Sequence, residues 1–459
     1  MLLSFTVKNW MCFKEETTID FFEKHNQTKF RERIVKLKGH KVNLFSAIFG
    51  ANASGKSSIM KALMLLKNMV DGRSLSYNPY RLDGNSENTV FEIVFSIKED
   101  IFLFKISYNN NQVENEELWY LSSKKTDYCI YNRSFCKETS VYNIYFNNNS
   151  NNIKSHKWFF NNETCNELML FNNGTKKNKL FINNTINQNR TEFKEIYDWF
   201  ERKLILLTPD DTLPFIFNFI DDKKSDSFCK ILTELNTGIT SIGKKELKDF
   251  PVDLKNDIKE SLKESDLNNT YIPYNNFLRI EIEKSGENVF VHELITRHSS
   301  NNKNYDFKLH EESDGTNRLL DILPMLYLLI HTNEELTLFL DEIDRSLHSA
   351  LVRNIIDIFF QNILTKNNNS QLIITTHDVQ LLDLKFLRKD EIWIFDREGN
   401  NTPVLRNLGL FKDIRHDVKI KKKYLLGRLS YTPSIDSCIF FDQSNSELSK
   451  ELSDDNKKE

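Results

Sequence analysis

Eight consecutive residues, Gly50-Ala51-Asn52-Ala53-Ser54-Gly55-Lys56-Ser57, fit the spacing G-x-x-x-x-G-K-[ST]. The two glycines let the main chain bend closely around phosphate groups, so that successive N–H groups point inward. Lys56 is the cation expected at the β- and γ-phosphates. Ser57, followed by Ser58, brings a hydroxyl to where a magnesium ion would sit. The ligands this chemistry calls for are ATP and Mg²⁺. The spacing alone also arises by chance, so its context matters. Residues 42–49 read as a buried strand leading in, and residues 57–70 have the apolar spacing of a helix leading out. A helix starting there adds the positive end of its dipole to the phosphate site.

A second group is Leu336-Thr337-Leu338-Phe339-Leu340-Asp341-Glu342, an apolar strand that ends in two carboxylates. Alone, this is an ordinary exit from strand to loop. Beside a phosphate-binding loop, strand-end carboxylates fall at the phosphate edge of a parallel sheet. Asp341 would then hold Mg²⁺, directly or through water, and Glu342 would orient and deprotonate the attacking water. A third group, Gln371-Leu372-Ile373-Ile374-Thr375-Thr376-His377-Asp378, delivers a histidine at the end of the next strand. The fourth is Glu312-Ser313-Asp314-Gly315-Thr316-Asn317-Arg318, just ahead of the helix that feeds the carboxylate strand. Ser313 or Asp314 would serve as an ordinary N-cap. A Ser hydroxyl and a closely approaching Gly backbone at a helix start could equally grip a γ-phosphate.

The order of these groups resembles that of ABC-type ATPases. In that family the histidine after the carboxylate strand senses the γ-phosphate, the role implied for His377. The Ser-x-Gly segment resembles the ABC signature, which implies that Ser313 and Gly315 act on the nucleotide of a second subunit. Val7-Lys8-Asn9-Trp10-Met11-Cys12-Phe13 resembles the early segment of SMC and RecF heads. More specifically, the chain resembles the AbiLi/RloA-like ATPases of bacterial abortive-infection and anti-phage loci. The matching pieces are the segment from Phe49 to Ser57, Glu312-Ser313-Asp314-Gly315-Thr316, Asp341-Glu342-Ile343-Asp344-Arg345-Ser346-Leu347-His348, and Tyr424-Leu425-Leu426-Gly427-Arg428. The last piece continues here as Leu429-Ser430-Tyr431 and not as the family's usual Tyr-Gly-Ala. The resemblance implies that residues 344–348 form a loop crossing a dimer interface, and that Gln188 is a glutamine near Mg²⁺.

The elements that must position these residues follow from periodicity. Residues 2–7 and 17–22 read as a hairpin, residues 90–108 as two strands around an acidic turn, with more strand-like pieces to about residue 145. The Asn-rich stretch 147–190 reads as loops and short helices. Residues 191–270 read as helical, and strands return at 277–283 and 289–296. A helix over 315–331 carries Pro324 as an expected kink, followed by strand 336–340, helix 347–363, and strands 371–375 and 391–395. The expected fold is α/β: an ABC-type P-loop NTPase head, a mixed sheet with an antiparallel β lobe, and an inserted helical region. The expected divisions are an N-terminal ATPase lobe at 1–190, a helical insert at 191–275, a C-terminal ATPase lobe at 276–442 and a polar tail at 443–459.

Composition narrows the setting. A formal charge of −3 gives no global positive field toward nucleic acid, and a run such as Lys421-Lys422-Lys423 reads as a solvated face. The six cysteines form no Cys-x-x-Cys pair, as expected of reduced thiols. The start turns polar within seven residues, and no stretch nears the ~18 apolar residues of a membrane span. A cytoplasmic protein without a membrane partner is expected. Acidic pairs such as Asp210-Asp211 and Asp221-Asp222 lie in polar loops, and no nuclease or protease constellation stands out. The resemblance therefore implies an ATPase that works as a homodimer or higher homo-oligomer and controls a co-encoded, nuclease-like effector in anti-phage defence. The alternative is a RecF- or SMC-like DNA-repair or recombination ATPase that binds nucleic acid directly.

Overall fold

The sheet that carries the chemistry is assembled from both ends of the chain. A computed structural model describes residues 1–24, 28–73, 75–82, 87–122, 127–147, 158, 160–212, 216–217, 220, 225–247, 269–275, 278–285, 288–366, 369–398, 402–411, 420–425 and 429. The first strands are β1 (Leu2–Lys8) and β2 (Thr17–Asp20), then a hairpin of β3 (Ile34–Leu37) and β4 (His40–Asn43), then β5 (Phe45–Phe49). Helix α1 (Lys56–Val70) follows. Next come β6 (Thr89–Ile97), β7 (Asp100–Tyr108), β8 (Val113–Leu121), β9 (Tyr128–Cys136) and β10 (Val141–Phe146). Helices α2 (Asn162–Gly174), α3 (Phe181–Asn187) and α4 (Lys194–Asp198) lead through a π-turn at Trp199–Lys203 into β11 (Leu204–Leu207).

The second half opens with α5 (Ser225–Glu234) and strands β12 (Ile239–Glu246), β13 (Asn269–Asn275), β14 (Leu278–Ser285), β15 (Asn288–Ser300) and β16 (Lys303–Lys308). It continues with α6 (Asp314–His331), β17 (Thr337–Leu340), α7 (Ser349–Lys366) and β18 (Gln371–Thr376). It closes with β19 (Ile392–Glu398), β20 (Thr402–Asn407) and α8 (Ile420–Leu425).

The core sheet has the order β11-β17-β18-β5-β19-β20, parallel except for β20. Every residue of β5, β17 and β18 is buried, as expected of parallel strands covered on both faces. β5 therefore lies between two strands from the far end of the chain. The expected pairing of the first two strands holds, with Ser4 opposite Asp20 and Val7 opposite Thr17. They join β6–β10 in a seven-stranded antiparallel sheet. Its inner face is aromatic: Phe91, Ile93 and Phe95 of β6 alternate inward, and Phe95 stacks on Trp199 at 4.3 Å between centroids. The fold is thus mixed α/β with an antiparallel lobe.

The inserted region differs from a helical insert. Within 191–275 the helices α4 and α5 are present, but Leu204–Leu207 is an edge strand of the core sheet, with Leu204 opposite Thr337. A four-residue apolar run is too short to reveal its period. Strands β12–β16 form their own antiparallel sheet. The charged segment 253–264, read as helical, lies outside the described residues, as do Asp221-Asp222 and the tail 443–459. Helix α6 continues through Pro324 without a break. No described helix is long and apolar enough to cross a membrane.

Candidate active site

The parallel register sets the geometry. Leu340, Ile374 and Ala47 stand in line across β17, β18 and β5, so the three strands leave the sheet together at one edge. With adjacent strands about 4.8 Å apart, the carboxylates after β17 lie roughly 10 Å across the sheet from the loop after β5.

That loop is held tightly. A side chain on Gly50 would put Cβ 2.5 Å from Ser54 Oγ and 2.9 Å from Phe395 Cβ, so nothing larger fits. Gly55 has φ 115°, a left-handed conformation open to glycine, and the Phe13 ring lies under it. Ala53 accepts strain at φ 60°, and Arg397 of β19 donates to its carbonyl at 2.6 Å. Trp10 Nε1 donates to the Ser58 carbonyl at 3.0 Å, fixing the first turn of α1 from the other side. Lys56 is buried and donates to the carbonyls of Gly50 at 2.6 Å and Ala51 at 2.9 Å. Burial draws its pKa below the ordinary lysine value, opposed by Glu342, Asp341 and Asp344 nearby. Ser54 Oγ is buried without a hydrogen-bond partner among the described residues.

Across the sheet, Asp341 is buried and its carboxylate accepts a short hydrogen bond from Thr375 Oγ1. The same hydroxyl oxygen accepts from Glu342 N–H at 2.8 Å. Glu342 has φ 46°, and Ser346 a little further on has φ 62°. Three non-glycine residues in the left-handed region, Ala53, Glu342 and Ser346, thus sit in the loops at this edge. Such strain persists where the surroundings over-determine it. His377 lies at the end of β18, with Nδ1 3.1 Å from Asp344 Oδ2 and its backbone N–H donating to the same oxygen. Asp344 is buried while His377 is half-exposed, so the carboxylate orients the ring and leaves Nε2 free to meet a ligand.

The structure therefore brings together Gly50, Ala51, Asn52, Ala53, Ser54, Gly55, Lys56, Ser57 and Ser58 with Asp341, Glu342 and His377. Ser313 and Gly315 are placed differently. Ser313 caps α6, accepting from Thr316 N at 3.1 Å, and a Cβ on Gly315 would meet the Ser346 carbonyl at 2.6 Å. No hydrogen bond joins this helix start to the phosphate loop among the described residues. Gln188 is not brought to the site. It is exposed at the end of α3, and Asn183 of that helix donates to the Val70 carbonyl, at the end of α1 remote from the phosphate loop. An Asn-rich segment offers no signal that separates a ligand-binding amide from a helix-terminal one.

Three contributors escaped the sequence reading. Thr375 binds both carboxylate residues, and the paired threonines before His377 were the available signal. Arg318 is buried in α6 and donates to the carbonyls of Thr208 at 3.0 Å and Asp341 at 3.3 Å. A lone Arg on the buried side of an apolar helix could have revealed it. For Arg397 no sequence signal exists.

The residues fit a nucleotide with Mg²⁺. Ser57 and Asp341 offer two oxygen ligands, which suits an ion that keeps water and phosphate in its shell. Among the described residues no group of three or more His, Cys, Asp or Glu forms a closed metal cage. A groove of about 470 Å³ lined by Met11, Cys12, Tyr80, Leu82 and Arg397 runs beside Ala53 and Ser58, large enough for a base and sugar.

No curated protein matches the chain. Among solved structures, the SMC head domain from Thermotoga maritima is similar at 12% identity and a TM-score of 0.34, over 88% of this chain and 98% of that one. The sequence matches the family described as "AAA domain, putative AbiEii toxin, Type IV TA system" over residues 45–383, a span from β5 and the phosphate loop to the segment after His377. The chain belongs to that family of AAA-type ATPase domains.

Proposed function

We propose that the chain binds and hydrolyses ATP at sites completed by a second copy of itself, and that this cycle controls a partner effector in anti-phage defence. The observation that carries the reading is the alignment of Lys56, Asp341, Glu342 and His377 on three neighbouring strand ends. The phosphate loop and Lys56 bind the triphosphate. Ser57 and Asp341 would hold Mg²⁺, which when bound would supply positive charge to the phosphates. Glu342, pinned by Thr375, takes the proton of the attacking water. His377, oriented by Asp344, donates to the γ-phosphate. Among the described residues Ser313 and Gly315 make no hydrogen bond to the phosphate loop, and a helix start with a close glycine suits a phosphate offered by another copy.

Mixing two inactive variants tests the composite site. Lys56→Ala and Ser313→Arg alone leave no intact site. A heterodimer of the two keeps one site with both parts intact, so mixing should restore part of the ATPase activity. No recovery in verified heterodimers would mean that the shared site fails or that both sites must fire together.

The effector role rests on the family resemblance. Of the acidic pairs that might have served a nuclease, Asp210 pairs with Arg345 at 2.8 Å and Asp211 accepts from Thr208 N at 2.7 Å. Both are engaged in holding loops. The chain alone should hydrolyse ATP without cutting DNA or RNA, and phage protection should require a co-encoded partner together with Lys56 and Glu342. Full protection by this chain alone, measured by plaque counts, would overturn the regulatory reading.

A further inference from the structure

The antiparallel sheet β12–β16 is fastened to the first turns of α6, and α6 is fastened to the carboxylate strand. Arg279 of β14 is 1% exposed, and its Nη2 lies 3.0 Å from Asp321 Oδ1 and 3.3 Å from the Asn317 carbonyl. Its Nε and Nη1 have no partner among the described residues, so this cation depends on what α6 supplies. One position before the helix cap, Glu312 is half-buried, its side chain 8% exposed. It accepts from Thr296 Oγ1 and lies 2.7 Å from His298 Nε2, both on β15. The sheet thus holds α6 on either side of Ser313 and Gly315.

The next link leaves the helix. Arg318, adjacent to Asn317, is the residue that donates to the Asp341 carbonyl and to Thr208 before it. Asp341 N–H donates in turn to the Leu207 carbonyl of β11. Sheet, helix and carboxylate strand form a contiguous series: Arg279, then Asn317 and Asp321, then Arg318, then Asp341. Separating a buried cation from its partner leaves an uncompensated buried charge and is strongly unfavourable. A shift of the sheet would therefore carry α6 with it.

We propose that Arg279 is a positioning residue for ATP turnover. Through it the β12–β16 sheet sets the location of the Ser313–Gly315 helix start and of Asp341, so that engagement of this sheet by a partner would be read in the ATP site. The inference rests on the ATPase reading above, and it assigns the sheet a role beyond it. It touches no substrate, since neither Arg279 nor Asp321 contacts the phosphate loop among the described residues.

The test compares Arg279→Gln, Arg279→Lys and His298→Gln in the full chain. Arg279→Gln should lower kcat about tenfold or more, because small displacements of catalytic groups are costly. Affinity for a fluorescent ATP analogue should remain near wild type. Arg279→Lys, which keeps the charge, should recover part of the rate. A kcat for folded Arg279→Gln equal to wild type overturns the proposal. So does a fall in analogue affinity that matches the fall in rate. If Arg279→Gln does not fold, His298→Gln at the more exposed fastening decides: a reduced kcat with retained affinity supports the proposal, and an unchanged kcat overturns it. A wild-type chain without ATPase activity would sink the ATPase reading alone. Hydrogen exchange then tests the inference: the Asp341 amide should exchange faster in the variant that folds, with the amides of residues 54–58 unaffected. Unchanged exchange at Asp341 would overturn it.

Discussion

Glu342→Gln is expected to bind ATP as tightly as the wild-type chain and to hydrolyse it about 100-fold more slowly or less. The substitution is nearly isosteric, so the backbone bond to Thr375 and the left-handed conformation are retained. What is lost is the ability to accept a proton from water. Because binding persists while turnover stops, the variant should accumulate a nucleotide-loaded dimer with ATP and Mg²⁺. Single-turnover hydrolysis and light scattering with and without ATP check both halves. Hydrolysis at the wild-type rate would remove Glu342 from the chemical step.

Lys56→Ala should fail one step earlier. The ammonium is buried and donates to two loop carbonyls, bonds that phosphate oxygens would replace. A charge-assisted hydrogen bond contributes about 1.5–3 kcal/mol, which corresponds to roughly 10- to 150-fold in affinity. Burial draws the pKa of Lys56 down from the ordinary lysine range, and a bound triphosphate would raise it again. The variant should therefore need far more ATP to form any complex and should show no ATP-driven dimer. Calorimetric titration measures this, and unchanged affinity would contradict the phosphate assignment.

The contrast between these two residues shows what a linear sequence makes visible. The phosphate loop is local: strand, eight residues and helix are contiguous, so spacing together with its flanking elements pointed to Gly50 to Ser57. Asp341, Glu342 and His377 were legible because each ends an apolar strand, and strand ends in a parallel sheet share an edge. The partners that hold them were harder to see. Thr375 reaches Asp341 across strands, Arg318 reaches it from a helix, and Arg397 reaches Ala53 from residues more than 300 positions away in sequence. Such contacts leave no periodic trace. Residues 204–207 went unread as a strand for a related reason, since a half-buried edge strand of four apolar residues looks like part of a helix. Gln188 shows the opposite failure. A resemblance placed it, and the structure puts it at the end of α3, whose Asn183 binds the far end of α1.

The position of β5 between β18 and β19 has a consequence for biosynthesis. The strand that carries the phosphate loop leaves the ribosome early, yet its neighbours are encoded roughly 320 residues later, a delay of roughly 16 to 64 s at common elongation rates. Until then β5 has no flanking strand on either side, Arg397 is not there to hold Ala53, and His377 does not yet exist. A truncated or stalled product that stops before residue 371 carries the whole phosphate-binding sequence but lacks both strands that flank β5. Assembly of the nucleotide site thus waits until β18 and β19 have been made. A cell making this protein would meet its activity only after translation has passed the last parallel strand.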